Sequence, residues 1–182
     1  CPIRGSRGQT PALSIRNPMS AIYESDKLLG EYLLFHFGTA EEVLPSDHSW
    51  PVGMNDALDF PVRTVRHFSD SLVARGLDLG CAVGRSAFEM SRSCTSVLGI
   101  DFSHSFIRAA EALRRGERLP YERLEEAAIR TPLVAVVPKG VFPERIRFLQ
   151  GDAMDLPADL GSFDRVHAAK LPPMIHLRLA RS

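Results

Sequence analysis

The stretch LDLGCAVGRSAFEM, residues 77–90, decides the predicted fold of this 182-residue chain. An apolar run ends on the acid Asp78, and small residues follow at alternating positions, Gly80, Ala82 and Gly84. The residues after Gly84 carry apolar side chains at helical spacing. We therefore predict that a strand passes through a tight turn into a helix. Small residues in the turn let a ligand approach the backbone, and the start of the helix offers unpaired N–H groups.

A second unit of the same kind follows in the sequence. SVLGID, residues 96–101, predicts a short strand that ends on Asp101, and Ser103 is suited to cap the next helix. Strand, turn, helix, repeated twice, is typical of a parallel sheet with right-handed crossovers. The predicted fold class is therefore α/β, a Rossmann-like doubly wound parallel sheet that begins with a strand at residues 73–79.

The segments around these two units are predicted from their periodicity. A helix is expected over residues 23–37, with Gly38 as its stop, and a short helix over residues 60–68 that begins near Pro61. Two further strands are expected within RIRFLQGDA, residues 145–153, and within SFDRVHAAK, residues 162–170.

Residues 116–144 interrupt the alternation of strands and helices. They are compatible with a hairpin in which residues 131–137 form one strand. They are equally compatible with a helix followed by a strand.

The bulk composition excludes several classes of protein. Hydrophobic residues make up 45% of the chain and charged residues 24%, as in ordinary globular proteins. The formal net charge is zero and no apolar run is long enough to span a membrane, so neither a nucleic acid nor a membrane is predicted as a partner. The three cysteines, Cys1, Cys81 and Cys94, and the six histidines lack metal-ligand spacing. We predict reduced thiols, a cytoplasmic location and no metal site.

Two cofactor classes compete for the glycine-rich turn. In the dinucleotide pattern G-x-G-x-x-G, the third position falls on Arg85, which argues against an NAD-dependent oxidoreductase. The pattern acid-x-G-x-small-x-G fits residues 78–84, with Ala82 in place of the middle glycine. This region resembles the glycine loop of class I S-adenosylmethionine (SAM)-dependent methyltransferases.

The resemblance implies SAM as cofactor and a small-molecule methyl acceptor as partner. Asp101 ends the second strand, where an acid can hydrogen-bond both hydroxyls of a ribose. In the resembled family an acid at the position of Asp152 binds the adenine amino group, and the small residue after it lies beside the ring. The predicted cofactor-binding residues are Asp78, Gly80, Cys81, Ala82, Gly84, Asp101, Phe102, Asp152 and Ala153.

A narrower resemblance covers roughly residues 21–169. The chain looks similar to the methyltransferase domain of the ovothiol-biosynthesis enzyme, which implies N-methylation of the imidazole of a mercaptohistidine. The matching stretches are YESDKLLGEYLLFHFG, ALDFPVRTV, LDLGCAVGRSAFEMSR, GIDFSHSFIRAA, TPLVAVVP and GDAMDLPADLGSFD.

The sequence departs from that family after Ala169. Sheets of the superfamily have seven strands, whereas about four are predicted before Lys170 and the segment LPPMIHLRLARS. We expect the second half of the sheet to be absent or replaced, so a non-catalytic SAM-binding remnant is the rival hypothesis. The predicted organisation is a flexible leader (1–20), an N-terminal helical cap (21–70), a SAM-binding core (71–170) and an atypical tail (171–182).

No catalytic residue is predicted. The methyl group of a sulfonium is already activated, so the protein contributes mainly alignment and desolvation. Cys81 is interpreted as a small loop residue rather than a nucleophile, and His167 is a minor hypothesis for an acceptor contact. Residues that either line an acceptor pocket or close the core are Tyr23, Asn55, Phe60 and Arg63.

Overall fold

The computed structural model describes residues 25–45, 49–125 and 129–169. The predicted leader, Tyr23, Lys170 and the predicted tail lie outside these ranges. In chain order the elements are α1 (Asp26–Phe37), α2 (Ala40–Val43), α3 (Phe60–Val65), β1 (Val73–Leu79), α4 (Arg85–Met90), β2 (Cys94–Asp101), α5 (His104–Arg114), β3 (Leu119–Leu124), β4 (Arg130–Ala135), β5 (Ile146–Gln150) and β6 (Arg165–His167). Short 3₁₀ turns occupy Met54–Ala57 and Pro143–Arg145.

Four parallel strands form the central sheet, in the order β5-β2-β1-β6. Leu77 of β1 pairs with Leu98 of β2 on one side and with Val166 of β6 on the other. Because all four strands run the same way, their carboxyl ends meet at one edge of the sheet. The predicted α/β class with a parallel, Rossmann-like sheet is confirmed.

The two faces of the sheet bury separate hydrophobic clusters, as alternation along a strand requires. One face packs against the helices, with Phe88 of α4 and Phe106 of α5 fully buried. The opposite face buries Leu77, Leu79 and Ile100 beneath side chains that include those of the segment 153–163. The sheet is thus supported by helices on one side and by a loop segment on the other.

The helix boundaries follow local sequence signals. The Ser103 hydroxyl accepts a hydrogen bond from the Phe106 N–H at 3.2 Å and caps α5, as predicted. Gly38 ends α1 and donates to the Leu34 carbonyl, although its backbone is extended rather than left-handed. Pro61 lies in the first turn of α3, which ends three residues earlier than predicted. None of the helices in the described ranges combines the length and apolar character needed to cross a membrane.

The interrupting segment forms an antiparallel hairpin of β3 and β4, in which Tyr121 pairs with Leu133. The hairpin alternative is confirmed and the alternative of a helix followed by a strand is wrong. The second strand covers Arg130–Ala135, close to the predicted residues 131–137. The first strand buries Tyr121, and β3 contacts both α1 and α5.

Candidate cofactor site

The glycine-rich turn between β1 and α4 has three residues with positive φ. The φ angles are 69° at Gly80, 48° at Ala82 and 87° at Gly84. The N–H groups of Gly80 and Cys81 both donate to the Ile100 carbonyl, at 2.8 and 3.1 Å, which ties the turn to β2. Ala82 keeps a left-handed conformation that costs an L-residue about 1–2 kcal/mol, so surrounding contacts hold this backbone in place.

Position 84 has no room for a side chain, because other side chains of the protein fill the space beside Gly84. A Cβ atom at Gly84 would lie 2.6 Å from Cζ of Phe148 and 3.1 Å from Cβ of Ala110. Phe148 comes from β5 and Ala110 from α5, so the turn is wedged against two other elements. At this position, close approach by a core aromatic ring accounts for the glycine.

Asp101 connects the turn to the start of α5. Its Oδ2 atom accepts a hydrogen bond from the Ala82 N–H at 2.8 Å, and its Oδ1 atom accepts from the Ser103 N–H at 2.9 Å. The residue is partly exposed at the carboxyl end of β2. Phe102 follows with 51% of its surface exposed, and its carbonyl accepts from the Gln150 amide.

Asp152 and Ala153 lie next to Asp101 at the same edge of the sheet. The Gly151 N–H donates to the Asp101 carbonyl at 2.9 Å, which joins the ends of β5 and β2. Asp152 is exposed and its Oδ1 atom accepts from the Met154 N–H at 2.8 Å. Ala153 packs against the buried cluster of Leu77, Leu79 and Ile100. The structure therefore brings the predicted residues after β1, β2 and β5 together.

Asp78 is placed differently from the other predicted residues. Its carboxylate is 1% exposed, with the Ser86 hydroxyl donating to Oδ2 at 2.6 Å and Nδ1 of His167 lying 2.7 Å from Oδ1. Within the described residues its partners belong to the protein core, and its contact with a cofactor stays a prediction. His167 in turn lies 2.9 Å, through Nε2, from the hydroxyl of Thr64 in α3.

Ser86 and Thr64 contact this site but are not among the residues predicted from the sequence. Ser86 follows Asp78 by eight residues, just beyond the turn, so a bond that closes the turn is a recognisable possibility. Thr64 had no sequence signal, because it contacts His167 across 103 positions of the chain.

The other residues singled out from the sequence occupy the surface or the core. Asn55 and Arg63 are exposed and Phe60 is partly buried at the start of α3. The Cys81 thiol is fully buried and donates to the Ala82 carbonyl at 3.8 Å. Burial raises the pKa of the Cys94 thiol, although Arg165 acts in the opposite direction. Among the described residues, no group of three or more His, Cys, Asp or Glu side chains could hold a metal ion.

A separate cavity of about 460 Å³ lies beside α3 and α4. Its walls combine apolar side chains of α3 with Arg85, Glu89 and Arg92, and none of the predicted cofactor residues lines it. Glu89 binds both of these arginines, through Oε1 to Arg85 at 3.2 Å and through Oε2 to Arg92 at 2.7 Å. Arg66 and Asp70 also line the cavity, so its charged side chains are three arginines and two acids.

Several known proteins are similar to parts of this chain. A demethylmenaquinone methyltransferase of Lactococcus lactis subsp. lactis (strain IL1403) is 32% identical over 107 residues, which cover 57% of this chain and 33% of the relative. Among solved structures, YcgJ of Bacillus subtilis shares 21% identity with a TM-score of 0.41, over 59% of this chain and 36% of that protein. Phosphoethanolamine N-methyltransferase 1 of Haemonchus contortus, solved with phosphoethanolamine and S-adenosylhomocysteine, shares 15% identity with a TM-score of 0.43, over 82% of this chain and 25% of that protein.

The chain spans about one third of the length of its curated relative. The family described as "Methyltransferase domain" matches residues 77–171, more than half of the chain, from the glycine-rich turn through β6. The chain therefore belongs to the SAM-dependent methyltransferase family.

Proposed function

We propose that the chain binds SAM at the carboxyl ends of β1, β2 and β5 and transfers its methyl group to a nitrogen of a small molecule. The observation that carries this proposal is the position of Asp101, partly exposed beside the glycine-rich turn and hydrogen-bonded to its backbone. A carboxylate at this strand end is suited to a ribose diol. The resemblance to the ovothiol-biosynthesis enzyme supports the imidazole of a mercaptohistidine as the acceptor.

The proposal assigns a role to each predicted residue. The backbone of Gly80, Cys81 and Ala82 faces the methionine part, and Gly84 lets the turn pack tightly. Asp101 accepts the ribose hydroxyls. Phe102 and Ala153 flank the adenine, and Asp152 accepts from its amino group. We assign Asp78 an indirect role, because its buried carboxylate holds Ser86 and His167.

When bound, SAM supplies a methyl group that its sulfonium has already activated. The chain's residues then have to orient the donor and exclude water from the reacting atoms. A ring nitrogen with a lone pair needs no protein base to attack. This chemistry requires neither a nucleophile of the protein nor a metal. It is therefore compatible with a site whose carboxylates bind the adenosine.

Binding of S-adenosylhomocysteine, the demethylated product, tests the site by calorimetry. Charge-assisted hydrogen bonds contribute about 1.5–3 kcal/mol each, so we expect Asp101→Ala to weaken binding by at least about tenfold and Asp101→Asn by less. Asp159→Asn, which neutralises an exposed carboxylate in the segment 153–163, is the matched control and should bind as the wild type does. Equal affinities for the Asp101 and Asp159 variants would contradict the proposed site.

Transfer is tested separately with SAM and a mercaptohistidine. We expect methylated imidazole in the product, and less of it with Asp101→Ala when SAM is not saturating. Tight binding of the donor without transfer to any nitrogen acceptor would support the non-catalytic alternative instead. A cytoplasmic location is also proposed, from the odd and sparse set of three cysteines, and fractionation of cells that express the protein tests it.

A further inference from the structure

Four side chains from four elements form one continuous polar chain behind the glycine-rich turn. They are Thr64 of α3, His167 of β6, Asp78 of β1 and Ser86 of α4. Successive atoms lie 2.9 Å apart between Thr64 and His167, 2.7 Å between His167 and Asp78, and 2.6 Å between Asp78 and Ser86. We call this set the Thr64–Ser86 chain.

Burial makes the contacts of Asp78 with Ser86 and His167 costly to lose, and the contact between His167 and Thr64 is partly buried. Asp78, Ser86 and His167 are 1%, 4% and 8% exposed. A buried polar group that loses its partner keeps its desolvation penalty, and connected groups in a low-dielectric interior strengthen one another. The Thr64–Ser86 chain therefore either keeps all of its contacts or loses one of them completely, and does not weaken gradually.

The two ends of the Thr64–Ser86 chain lie in different helices. Ser86 is in α4, directly after the glycine-rich turn, and Thr64 is in α3. The Asp78–Ser86 bond spans the glycine-rich turn and fixes both of its ends. Thr64 lies in α3, a helix of only six residues that follows Asp59, whose φ of 53° is left-handed. Such a short helix is stabilised by its packing and its contacts rather than by its own hydrogen bonds.

We propose that His167 is a positioning residue that couples occupation of the glycine-rich turn to the placement of α3. The inference rests on the proposed function. A bound donor further stabilises the turn, the turn holds Asp78 and Ser86, and His167 transmits this stabilisation to Thr64. The helix that carries Phe60 and Arg63, both candidates for the acceptor pocket, thereby opens less often when the donor is present.

Hydrogen exchange of the amides of residues 62–66, with and without saturating S-adenosylhomocysteine, tests this coupling. Coupling between sites commonly amounts to about 5- to 150-fold, and we expect the ligand to slow exchange in α3 by about tenfold in the wild type. Thr64→Val removes the hydroxyl but keeps the side-chain shape. His167→Asn keeps an N–H near the position of Nδ1 and loses the reach to Thr64.

In both variants we expect the ligand to change α3 exchange by less than about twofold, while its dissociation constant changes by less than about threefold. Thr64→Ser, unlike Thr64→Val, keeps the hydroxyl and should keep the coupling. Thr95→Val is the matched control, because the Thr95 hydroxyl donates at 2.8 Å to a backbone carbonyl in the sheet, away from α3. A merely structural role would instead lower stability without changing the response to the ligand.

Three results would overturn the inference. Ligand binding to the wild type without a change in α3 exchange would show that the turn and α3 are independent. A full response in Thr64→Val or in His167→Asn would show that the Thr64–Ser86 chain does not carry the coupling. Absence of ligand binding to the folded wild type would remove the proposed function, and the coupling with it.

Discussion

Substitution of Gly84 by alanine tests how tightly the glycine-rich turn is packed. The added Cβ would lie 2.6 Å from Cζ and 3.0 Å from Cε1 of Phe148, and the backbone φ is 87°. The left-handed conformation costs an alanine about 1–2 kcal/mol, and overpacking of a core adds about 1–3 kcal/mol. We expect Gly84→Ala to lower the free energy of unfolding by about 2–5 kcal/mol, measured by urea denaturation.

Gly116→Ala separates the two contributions. Gly116 has nearly the same φ, 85°, but a Cβ there meets no atom within 4 Å. It should therefore cost only the conformational part, about 1–2 kcal/mol. Phe148→Leu removes the ring atoms nearest to the new Cβ, so the Gly84→Ala/Phe148→Leu double variant should lose less stability than the two single losses added together. Equal losses for Gly84→Ala and Gly116→Ala would refute the reasoning about Phe148.

Two further predictions concern buried polar side chains. Burial, with a contribution from Glu42, raises the pKa of Tyr121 from 10.0 to about 12. The contribution of this raised pKa to the free energy of unfolding is complete below pH 10 and should be lost as the pH rises from 10 to about 12. Urea denaturation across this range should show a smaller decline in Tyr121→Phe than in the wild type, and identical declines would contradict the assignment. Arg165 is 6% exposed and its guanidinium donates to Ser69, Ser71 and Ser93. Arg165→Lys should therefore cost about 1–3 kcal/mol in urea denaturation, whereas Arg115→Lys, which alters an exposed ion pair, should change stability by less than about 0.5 kcal/mol; similar losses for both would contradict a structural role of the Arg165 fork.

Local patterns were sufficient to predict the parallel core. The first strand was predicted at residues 73–79 and is observed at Val73–Leu79, because its apolar run and the turn after it leave little choice of boundary. The sequence does not decide the hairpin, since the residues before the apolar run 131–137 fit either a first strand or a helix. Pairing of β3 with β4, and packing of β3 against α1 and α5, settle the choice only in three dimensions.

The candidate site was predictable as a set of strand ends but not as a hydrogen-bond network. Asp101, Asp152 and the glycine-rich turn share one edge because parallel strands end together. The orientation of Asp78 toward the core was not predictable, since it depends on His167, which lies 89 positions further along the chain. Residues so far apart in the sequence leave no local pattern that predicts their contact, although the two side chains lie 2.7 Å apart in the folded chain.

The pairing of β1 with β6 also affects how the protein is made. Leu77 and its partner Val166 leave the ribosome 89 residues apart, which corresponds to roughly 4–18 s of synthesis at about 5–20 residues per second. Throughout that interval one edge of the nascent β1 has no neighbour and its apolar side chains lack their final cover. A chaperone that holds emerging chains would have its natural target at this strand.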